Sequence, residues 1–299
     1  MSILNFGSLN LDYTYRVPHI AAPGETLTSR SLEIRPGGKG LNQSVALARA
    51  GARVCHAGLI GEDGRILEEV CRESGVDTKF IGVSDVRTGN AIIQVDDGGQ
   101  NCIILFPGAN RAVDEEFADR VLEAFGAEDH ILLQNEISSL PYIIVRAWER
   151  GMKIILNPSP MDERLKECDL EKVWLFILNE VEGAQLTGMK EPEKILQEMR
   201  RRYPGARIVL TLGSDGSMYS EDGNTLRQEI FPAETVDTTG AGDTFTGYFI
   251  TEYLASGDAA AALRSASMAS SIAVARKGAS EAVPEMEEVI RMLRERGSL

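Results

Sequence analysis

The sequence predicts an α/β fold: a central, mostly parallel β-sheet covered by helices on both faces, with a small β-flap beside it. Short apolar runs alternate with segments of helical spacing along most of the 299 residues, which indicates β–α–β units. Runs such as KIIL at 153–156 are apolar throughout, which is typical of strands buried on both faces. Two β-rich segments interrupt this order and predict the flap.

Each element is predicted from its periodicity and from the residues at its ends. Glycines at positions 51, 75 and 257 follow helical spacing and mark helix ends. In chain order the predicted strands are ILNFGSLN (3–10), RVCHAGLIG (53–61), HILLQNEI (130–137), KIILNPSP (153–160), VWLFILNE (173–180) and RIVLTLG (207–213). The predicted helices are GLNQSVALARAGA (40–52), EDGRILEEVCRESGV (62–76), LPYIIVRAWERG (140–151), EPEKILQEMRRRYPG (191–205), TFTGYFITEYLASG (244–257) and AAALRSASMASSIAVARKG (260–278).

Two segments do not follow the alternation. TGNAIIQVDDGGQNCIILF (88–106) is two β-like runs around Asp-Asp-Gly-Gly, a hairpin pattern. Residues 13–35 contain β-like pieces with Pro-Gly punctuation and no helical pattern. We expect both to project as a small antiparallel flap from one continuous domain, 1–299. GSMYSEDGNTLRQEIF (216–231) is a second hairpin candidate.

Composition and charge exclude several classes of protein. The formal net charge is −14 and no run is rich in Lys or Arg, which disfavours a nucleic-acid binder. The four cysteines form no C-x-x-C pair and the three histidines are scattered, so a zinc site is not expected. We see no signal peptide and no apolar run long enough to span a membrane, and we expect a cytoplasmic protein.

DTTGAGDTF (237–245) is the first stretch whose residues suggest a role in binding or catalysis. Gly240 and Gly242 let the backbone approach a ligand closely, and a helix that begins near Asp243 presents free N–H groups suited to a phosphate. A carboxylate in such a site makes sense if Asp243 takes a proton from a hydroxyl that attacks the phosphate. The alternative is an Asp/Thr cap on an ordinary helix. There is no P-loop and no G-x-G-x-x-G motif.

A second polar set surrounds RPGGKGLNQS (35–44), where Lys39 and Asn42 lie at a glycine-rich helix opening. Asn10 and Asp12 are placed at the end of the first strand, and Glu136 follows the strand ILLQ. The carboxyl ends of strands line the ligand crevice in open α/β sheets, so these groups could bind sugar hydroxyls. Taken singly, each acid could equally be a loop residue, and Lys39 could be a solvated side chain in a turn.

The third set follows two later strands. In NEVE (179–182), Asn179 and Glu182 could hold Mg²⁺ through its waters, or could be a helix cap followed by first-turn acids. TLGSDG (211–216) could lie against a nucleotide or simply turn the chain.

Together these motifs resemble, in order and spacing, those of the ribokinase (PfkB) family of sugar kinases. The resemblance spans nearly the whole chain, and the combination with Asn10, Asp12, Asn42 and Glu136 points to the ribokinase branch. The motifs that carry it are GGKGLNQ (37–43), NEVE (179–182), TLGSDG (211–216) and DTTGAGDTF (237–245), supported by GSLNLD (7–12), PGET (23–26), PGAN (107–110), LNPSP (156–160) and ARKGAS (275–280).

The resemblance implies a ribokinase-like three-layer αβα fold with a lid formed by about residues 13–36 and 89–107. It also implies a role for each matching residue. Asp243 would be the catalytic base, and the amides of Gly240, Ala241 and Gly242 would form the anion hole. The implied sugar ligands are Asn10, Asp12, Gly38, Lys39, Asn42 and Glu136. The implied ATP contacts are Asn179, Thr211, Gly213 and Gly216.

Two cations are implied as well. Glu182 would help to order Mg²⁺ and its waters. A monovalent cation, usually K⁺ in the family, would be bound by Asp237, Thr239, Ala273, Arg276 and Gly278, the last three through backbone oxygens. Ala282 departs from the pattern, because ribokinases often have a serine there. Phe106 and Pro107 lie in the returning strand of the lid, where their bulk could alter the accepted sugar.

We therefore expect an ATP-dependent sugar kinase that phosphorylates a primary hydroxyl, with D-ribose as the first candidate. We expect a homodimer formed through the lid, with ATP and a small sugar as ligands and no nucleic-acid or membrane partner. The alternatives are a family kinase for fructose, a ketosugar acid or a nucleoside, and a non-catalytic sugar or nucleotide sensor.

Overall fold

The computed structural model describes residues 2–298 and contains two β-sheets. The strands are β1 (Ile3–Phe6), β2 (Asn10–Arg16), β3 (Ser31–Gly37), β4 (Val54–Ile60), β5 (Asp77–Val83), β6 (Gly89–Val95), β7 (Asn101–Phe106), β8 (His130–Gln134), β9 (Lys153–Asn157), β10 (Val173–Asn179), β11 (Arg207–Thr211), β12 (Ser217–Glu221) and β13 (Asn224–Gln228). The helices are α1 (Lys39–Arg49), α2 (Arg65–Glu73), α3 (Glu115–Leu122), α4 (Leu140–Glu149), α5 (Glu180–Thr187), α6 (Pro192–Arg202), α7 (Ala241–Ser256), α8 (Ala259–Val274) and α9 (Met286–Glu295).

The larger sheet is nine-stranded and has the order β13-β12-β11-β10-β9-β8-β1-β4-β5. The strands from β11 to β5 in that order run parallel to their neighbours, whereas β12 and β13 join at one edge as an antiparallel hairpin. This confirms the mostly parallel central sheet and the hairpin predicted from residues 216–231.

Helices cover both faces of this sheet, because successive strand residues point to opposite sides. In β10, Leu175 and Ile177 contribute to the apolar core formed with α1, α7 and α8, while Phe176 and Leu178 contribute to the core formed with α3, α4 and α6. Neighbouring strands alternate in the same way. The predicted three-layer αβα arrangement is confirmed.

The second sheet has four strands in the order β3-β2-β6-β7. Its strands come from the two β-rich segments, and the β6–β7 hairpin is confirmed with Ile92 opposite Ile104. The sheet is not purely antiparallel as expected, because β2 and β6 are parallel. The two segments come from separate parts of the chain, so the direction in which β2 meets β6 is set by the main sheet and not by a turn.

The first predicted strand is wrong at its carboxyl end. β1 ends at Phe6, and Asn10 begins β2 of the second sheet instead of ending a strand of the main one. The chain changes sheets at Gly7, where an added Cβ would lie 2.7 Å from the Cα of Gly40. Gly40, in the first turn of α1, lies so close that the bend requires a glycine at position 7, and an apolar pattern does not encode this.

Several elements were not assigned from the sequence, namely β5, α3 and α9. β5 is an edge strand with mixed exposure, and α3 spans only eight residues. No residue of β5 is fully buried, and only two or three residues of α3 and of α9 are. Within residues 2–298, no helix is both long enough and apolar enough to cross a bilayer.

Candidate active site

A cleft of about 230 Å³ opens at the carboxyl ends of β9, β10 and β11, next to the start of α7. Parallel strands end at the same edge of a sheet, so polar residues that follow them meet there. The predicted site residues that line the cleft are Lys39, Asn179, Glu182, Thr211, Gly240, Gly242 and Asp243.

The backbone at the start of α7 is bare on its cleft side. Gly240 precedes the helix in the left-handed region, with φ of 73°. A Cβ at this position would lie 3.0 Å from the Cα of Ala279, so another residue would be both strained and crowded. A Cβ added at Gly242 would meet nothing within 4 Å, which leaves that amide accessible.

The N–H groups at this helix end differ in their partners. The N–H of Ala241 donates to the carbonyl oxygen of Thr238 at 3.2 Å. Within the part of the chain that the structure describes, the N–H groups of Gly242 and Asp243 have no protein acceptor. Free amides and the positive end of the helix dipole make this a place for an anion such as a phosphate.

The carboxylate of Asp243 is buried and is bonded by two side-chain amides. Asn42 Nδ2 donates to Oδ2 at 3.0 Å, and Gln43 Nε2 donates to Oδ1 at 2.8 Å. Both donors are on α1, which packs directly against α7. Asn42 was predicted to bind sugar; here its amide nitrogen is directed to Asp243, and its buried Oδ1 has no partner among the described residues.

Lys39 and Glu136 form the charged part of the site. Glu136 Oε2 accepts the backbone N–H of Lys39 at 3.0 Å and the hydroxyl of Ser8. Burial raises the pKa of Glu136 despite the attraction of Lys39. Burial lowers the pKa of Lys39, but the attraction of Asp243, Glu136 and Glu182 outweighs it and raises that pKa overall. The ammonium of Lys39 therefore keeps its charge between these carboxylates.

Asp12 lies in β2 and adds another acid to this group. A Cβ on Gly37 would lie 2.2 Å from its Oδ2, so β3 leaves room for the carboxyl only because residue 37 is a glycine. Burial, followed by the negative charges of Glu136 and Glu281, raises the pKa of Asp12 to about 6. Asp12 is not among the residues that line the cleft, but a pKa raised by burial and by nearby charges is typical of a functional residue.

Asn10 is buried and is held by Asn110, a residue with no role predicted from the sequence. Asn110 Nδ2 donates to Asn10 Oδ1 at 2.8 Å, and Asn110 Oδ1 accepts the N–H of Leu9 at 3.0 Å. A Cβ on Gly38 would lie 3.1 Å from the backbone nitrogen of Asn10. Asn110 thus fixes both the backbone and the side chain at the start of β2.

Asn179 and Glu182 form a capping box at the start of α5. Glu182 N–H donates to Asn179 Oδ1 at 2.8 Å, and Asn179 N–H donates to Glu182 Oε2 at 3.0 Å. The capping alternative is therefore realised, although both residues also line the cleft. No cluster of three or more metal-binding side chains exists in residues 2–298. This donor set fits Mg²⁺ only if nucleotide phosphates and waters supply most of the ligands.

The loop after β11 contains the other residues predicted to contact ATP. Thr211 lines the cleft, whereas Gly213 and Gly216 lie in the turn that follows it. The N–H of Leu212 donates to the carbonyl oxygen of Gly216 at 2.8 Å, which closes the turn. This turn brings the chain back into β12 beside the cleft.

The residues predicted to bind a monovalent cation lie on the outer side of the same helix start. Asp237 Oδ1 accepts the N–H of Thr239 at 3.0 Å, and Oδ2 accepts the N–H of Gly278 at 3.1 Å. Burial raises the pKa of Asp237, but these bonds outweigh it and lower the pKa overall. The carbonyl oxygen of Ala273 accepts the N–H of Arg276 at 3.0 Å. Each of these oxygens already accepts a protein hydrogen bond, and the monovalent cation site stays a prediction.

The fold and the site define an α/β enzyme that transfers phosphate to a small polar substrate, with a candidate base at a helix N-terminus. The model of the pfkB family of carbohydrate kinases matches residues 2–286. The chain belongs to this family.

Relatives of known function support the same assignment. A ribokinase from Haemophilus influenzae is 34% identical over 296 residues, which cover 96% of each chain. A ribokinase from Bacillus subtilis is 33% identical over 297 residues, which cover 98% of this chain and 99% of the relative.

Solved structures agree with the sequence relatives. Arabidopsis thaliana ribokinase, complexed with ribose and ATP, superposes with a TM-score of 0.88 at 29% identity and 98% coverage of each chain. Cryptococcus neoformans ribokinase with ADP gives a TM-score of 0.87 at 32% identity, covering 98% of this chain and 99% of the other. The protein is an ATP-dependent carbohydrate kinase of the ribokinase family.

Proposed function

We propose that this protein phosphorylates D-ribose at its primary hydroxyl and releases ribose 5-phosphate and ADP. The observation that carries the proposal is the carboxylate of Asp243, bonded by two amides, beside the free N–H groups of Gly242 and of Asp243 itself. A base and an anion site adjoin there, as in-line attack of a hydroxyl on a phosphate requires.

In this proposal Asp243 accepts the proton of the attacking hydroxyl while the oxygen of the sugar bonds to the γ-phosphorus of ATP. The bond from phosphorus to the bridging oxygen of ADP breaks as the new bond forms. The amides of Gly240, Ala241 and Gly242 carry the negative charge that develops on the phosphoryl oxygens, and the ammonium of Lys39 contributes. To take part, the N–H of Ala241 must give up its hydrogen bond to the carbonyl oxygen of Thr238 and donate to a phosphate oxygen instead.

The sugar is bound by a set of polar side chains from β2, from the start of α1 and from the loop after β8. Asp12, Glu136 and the free Oδ1 of Asn42 accept hydrogen bonds from sugar hydroxyls, while Asn10, Gly38 and Lys39 complete the site. Ribose is favoured because the relatives named above are ribokinases and one was solved with ribose. Pro107, directly after β7, is placed to limit the size of the sugar, whereas Phe106 shares the strand face of Ile104 and points away from Asp12.

ATP binds along the cleft, against Asn179, Thr211, Gly213 and Gly216. Mg²⁺, when bound with ATP, supplies charge neutralisation at the phosphates. Glu182 orients its waters through the carboxylate oxygen that does not cap α5. Asp237, Thr239, Ala273, Arg276 and Gly278 would hold a monovalent cation, most simply K⁺, whose charge would stabilise the loop that precedes α7.

The second sheet acts as a lid, formed by about residues 13–36 and 89–107, on a single kinase domain that spans 1–299. Closure excludes water from the sugar and the γ-phosphate, which prevents ATP hydrolysis. One face of the lid carries exposed apolar residues on adjacent strands, and it is the surface through which we expect two subunits to pair. The exposed residues on this face are Leu32, Ile34, Ile92, Ile104 and Phe106.

The test is a coupled ADP-release assay with a panel of pentoses, hexoses and nucleosides, run beside Asp243→Asn. The wild type should turn over ribose with the highest kcat/KM. The variant should bind ATP and ribose in calorimetry but lose roughly 10²–10⁴-fold in kcat, the usual contribution of a positioned base. Preference for fructose, a ketosugar acid or a nucleoside would replace ribose as the substrate. ATP and sugar binding without turnover by the wild type would indicate a sensor, and near-normal turnover by Asp243→Asn would reject the base.

A further inference from the structure

Gln43 lies at the centre of a buried chain of side-chain amides. Its side chain is fully buried, and its Nε2 donates to Asp243 Oδ1 at 2.8 Å and to Asn157 Oδ1 at 3.0 Å. Its Oε1 accepts from Gln134 Nε2 at 2.7 Å. Gln43 belongs to the GGKGLNQ motif, but neither the sequence nor the proposed reaction gives it a role.

Backbone carbonyls fix the orientation of these amides. A carbonyl oxygen only accepts hydrogen bonds, so a side-chain amide that faces one must present its nitrogen. Asn157 Nδ2 faces the carbonyl oxygen of Ile177 at 2.8 Å. Asn157 must therefore turn its Oδ1 towards Gln43, and Gln43 must donate to this oxygen through its Nε2.

The hydrogen bonds at the other end of this row of amides require the same orientation of Gln43. Asn5 Nδ2 donates to the carbonyl oxygen of Gly40 at 2.7 Å, which turns Asn5 Oδ1 towards Gln134. Gln134 Nε2 donates to Asn5 Oδ1 at 2.9 Å and also to Gln43 Oε1. From both ends the amide oxygen of Gln43 points to Gln134 and its nitrogen points to Asp243.

We propose that Gln43 is a positioning residue for phosphoryl transfer, held by Asn5, Gln134 and Asn157 so that it directs one fixed donor at Oδ1 of Asp243. The proposal rests on the proposed role of Asp243 as base. Each carboxylate oxygen receives one amide, Oδ2 from Asn42 and Oδ1 from Gln43. Two bonds from α1 fix the rotation of the carboxylate, which sets the direction in which it can accept a proton.

Other charged groups face Asp243, and a pH profile must be interpreted with them. Lys39 of α1 attracts its carboxylate, and Glu136, which follows β8, repels it. Glu182 of α5 lines the same cleft. All three are unchanged by a substitution at Gln43, so a shift between variant and wild type reports the lost amide.

The experiment compares Gln43→Met, Gln43→Glu and Gln134→Met in steady-state kinetics across pH. Gln43→Met keeps the length of the side chain and removes the donor. We expect its kcat to fall about 10²-fold, the loss typical of a misplaced catalytic group, with both KM values unchanged. Gln43→Glu should lose more, and the acid limb of its kcat profile should move to higher pH because a second carboxyl faces Asp243.

Gln134→Met is the matched control, since it breaks the same amide chain without touching Asp243. It should lower the unfolding temperature as Gln43→Met does, but its kcat should fall less and its acid limb should stay in place. Calorimetric binding of ATP verifies that each variant is folded. Equal kcat losses for the two Met variants, or an unmoved acid limb in Gln43→Glu, would overturn the inference. If Asp243→Asn were active, the proposed function would fail instead.

Discussion

Asp12, the acid that we propose binds the sugar, lowers the free energy of unfolding of the ligand-free protein. Its carboxyl is half-buried on one face of the second sheet, near Glu136 and Glu281, and its pKa is raised from 3.8 to about 6. Ionisation is therefore less favourable in the folded protein than in the unfolded chain. A sugar hydroxyl that donates to this carboxylate would relieve part of that cost, which links folding to substrate binding.

Asp12→Asn should stabilise the ligand-free protein at neutral pH and weaken sugar binding. As pH rises from about 4 to about 6 the unfolded chain releases its proton first, so the wild type loses stability in this window and does not regain it above. The gain of the variant should grow to at most about 3 kcal/mol at pH 7, from a shift of about two pKa units. Urea unfolding of the wild type and of Asp12→Asn, at about pH 4 and at about pH 7, measures this gain.

The same variant should raise the KM for the sugar and leave the KM for ATP unchanged, because Asp12 lies on the sugar side of the site. Asp77→Asn is a suitable control, since Asp77 is an exposed acid at the start of β5, away from the cleft. A gain in stability that does not depend on pH, or an unchanged sugar KM, would contradict the assignment of Asp12.

At the scale of elements, the contact between α1 and α7 determines the geometry of the site. α1 carries both amides that hold Asp243, and α7 carries Asp243 itself. The helices meet at Gly247, where a Cβ would lie 2.4 Å from the Cβ of Ala46 and 2.7 Å from its carbonyl carbon. Backbone atoms cannot move aside as a flexible side chain can, so the contact requires glycine.

Gly247→Ala should push α1 and α7 apart. We expect a loss of about 1–3 kcal/mol in the free energy of unfolding, typical of overpacking, and a fall in kcat because the amides no longer meet Asp243. Gly205→Ala is the control, because a Cβ there meets nothing within 4 Å. Chemical unfolding and steady-state kinetics on both variants test this. A Gly247→Ala enzyme of normal stability and normal kcat would show that the helices tolerate separation.

At the scale of the whole molecule, the second sheet presents two unlike faces. Register places Ile34, Tyr13, Ile92 and Ile104 side by side on one face. Asp12 and Ile103 point to the other face, since alternate residues of a strand face opposite sides. Exposed apolar side chains in adjacent strands are typical of an interaction surface, and we propose the face opposite Asp12 as the one through which two subunits pair.

Ile104→Glu should prevent the pairing of two subunits, because it places a charge at the centre of the apolar face. Ile103→Glu is the matched control: the two residues are adjacent in β7 and are 59% and 56% exposed, but they lie on opposite faces. Analytical ultracentrifugation should find a dimer for the wild type and for Ile103→Glu, and a monomer for Ile104→Glu. If Ile104→Glu were dimeric, the interface would lie elsewhere. If the wild type were monomeric, the proposed pairing of subunits would be rejected.

Local pattern was enough to predict the elements that are strongly periodic and the groups that follow them. The continuous apolar run of β10 and the glycines before α7 are short-range features, and both were found where expected. β5 was missed because none of its residues is fully buried, and α3 because it spans only eight residues. Asn10 and Asp12 were put in the wrong sheet, because residues 7–10 look like a continuation of the first strand whether or not the chain bends at Gly7.

The sequence alone determined the layered α/β class, the family resemblance and the residue types at the helix start that could transfer a phosphate. Only the tertiary structure decided which of these groups touch. Gln43 and Asp243 are 200 residues apart, and their contact exists because strand order brings α1 against α7. Periodicity within one element reports which of its sides is buried. It carries no information about which distant element covers that side, so the contacts of Gln43 with Asp243 and of Asn110 with Asn10 became visible only in the fold.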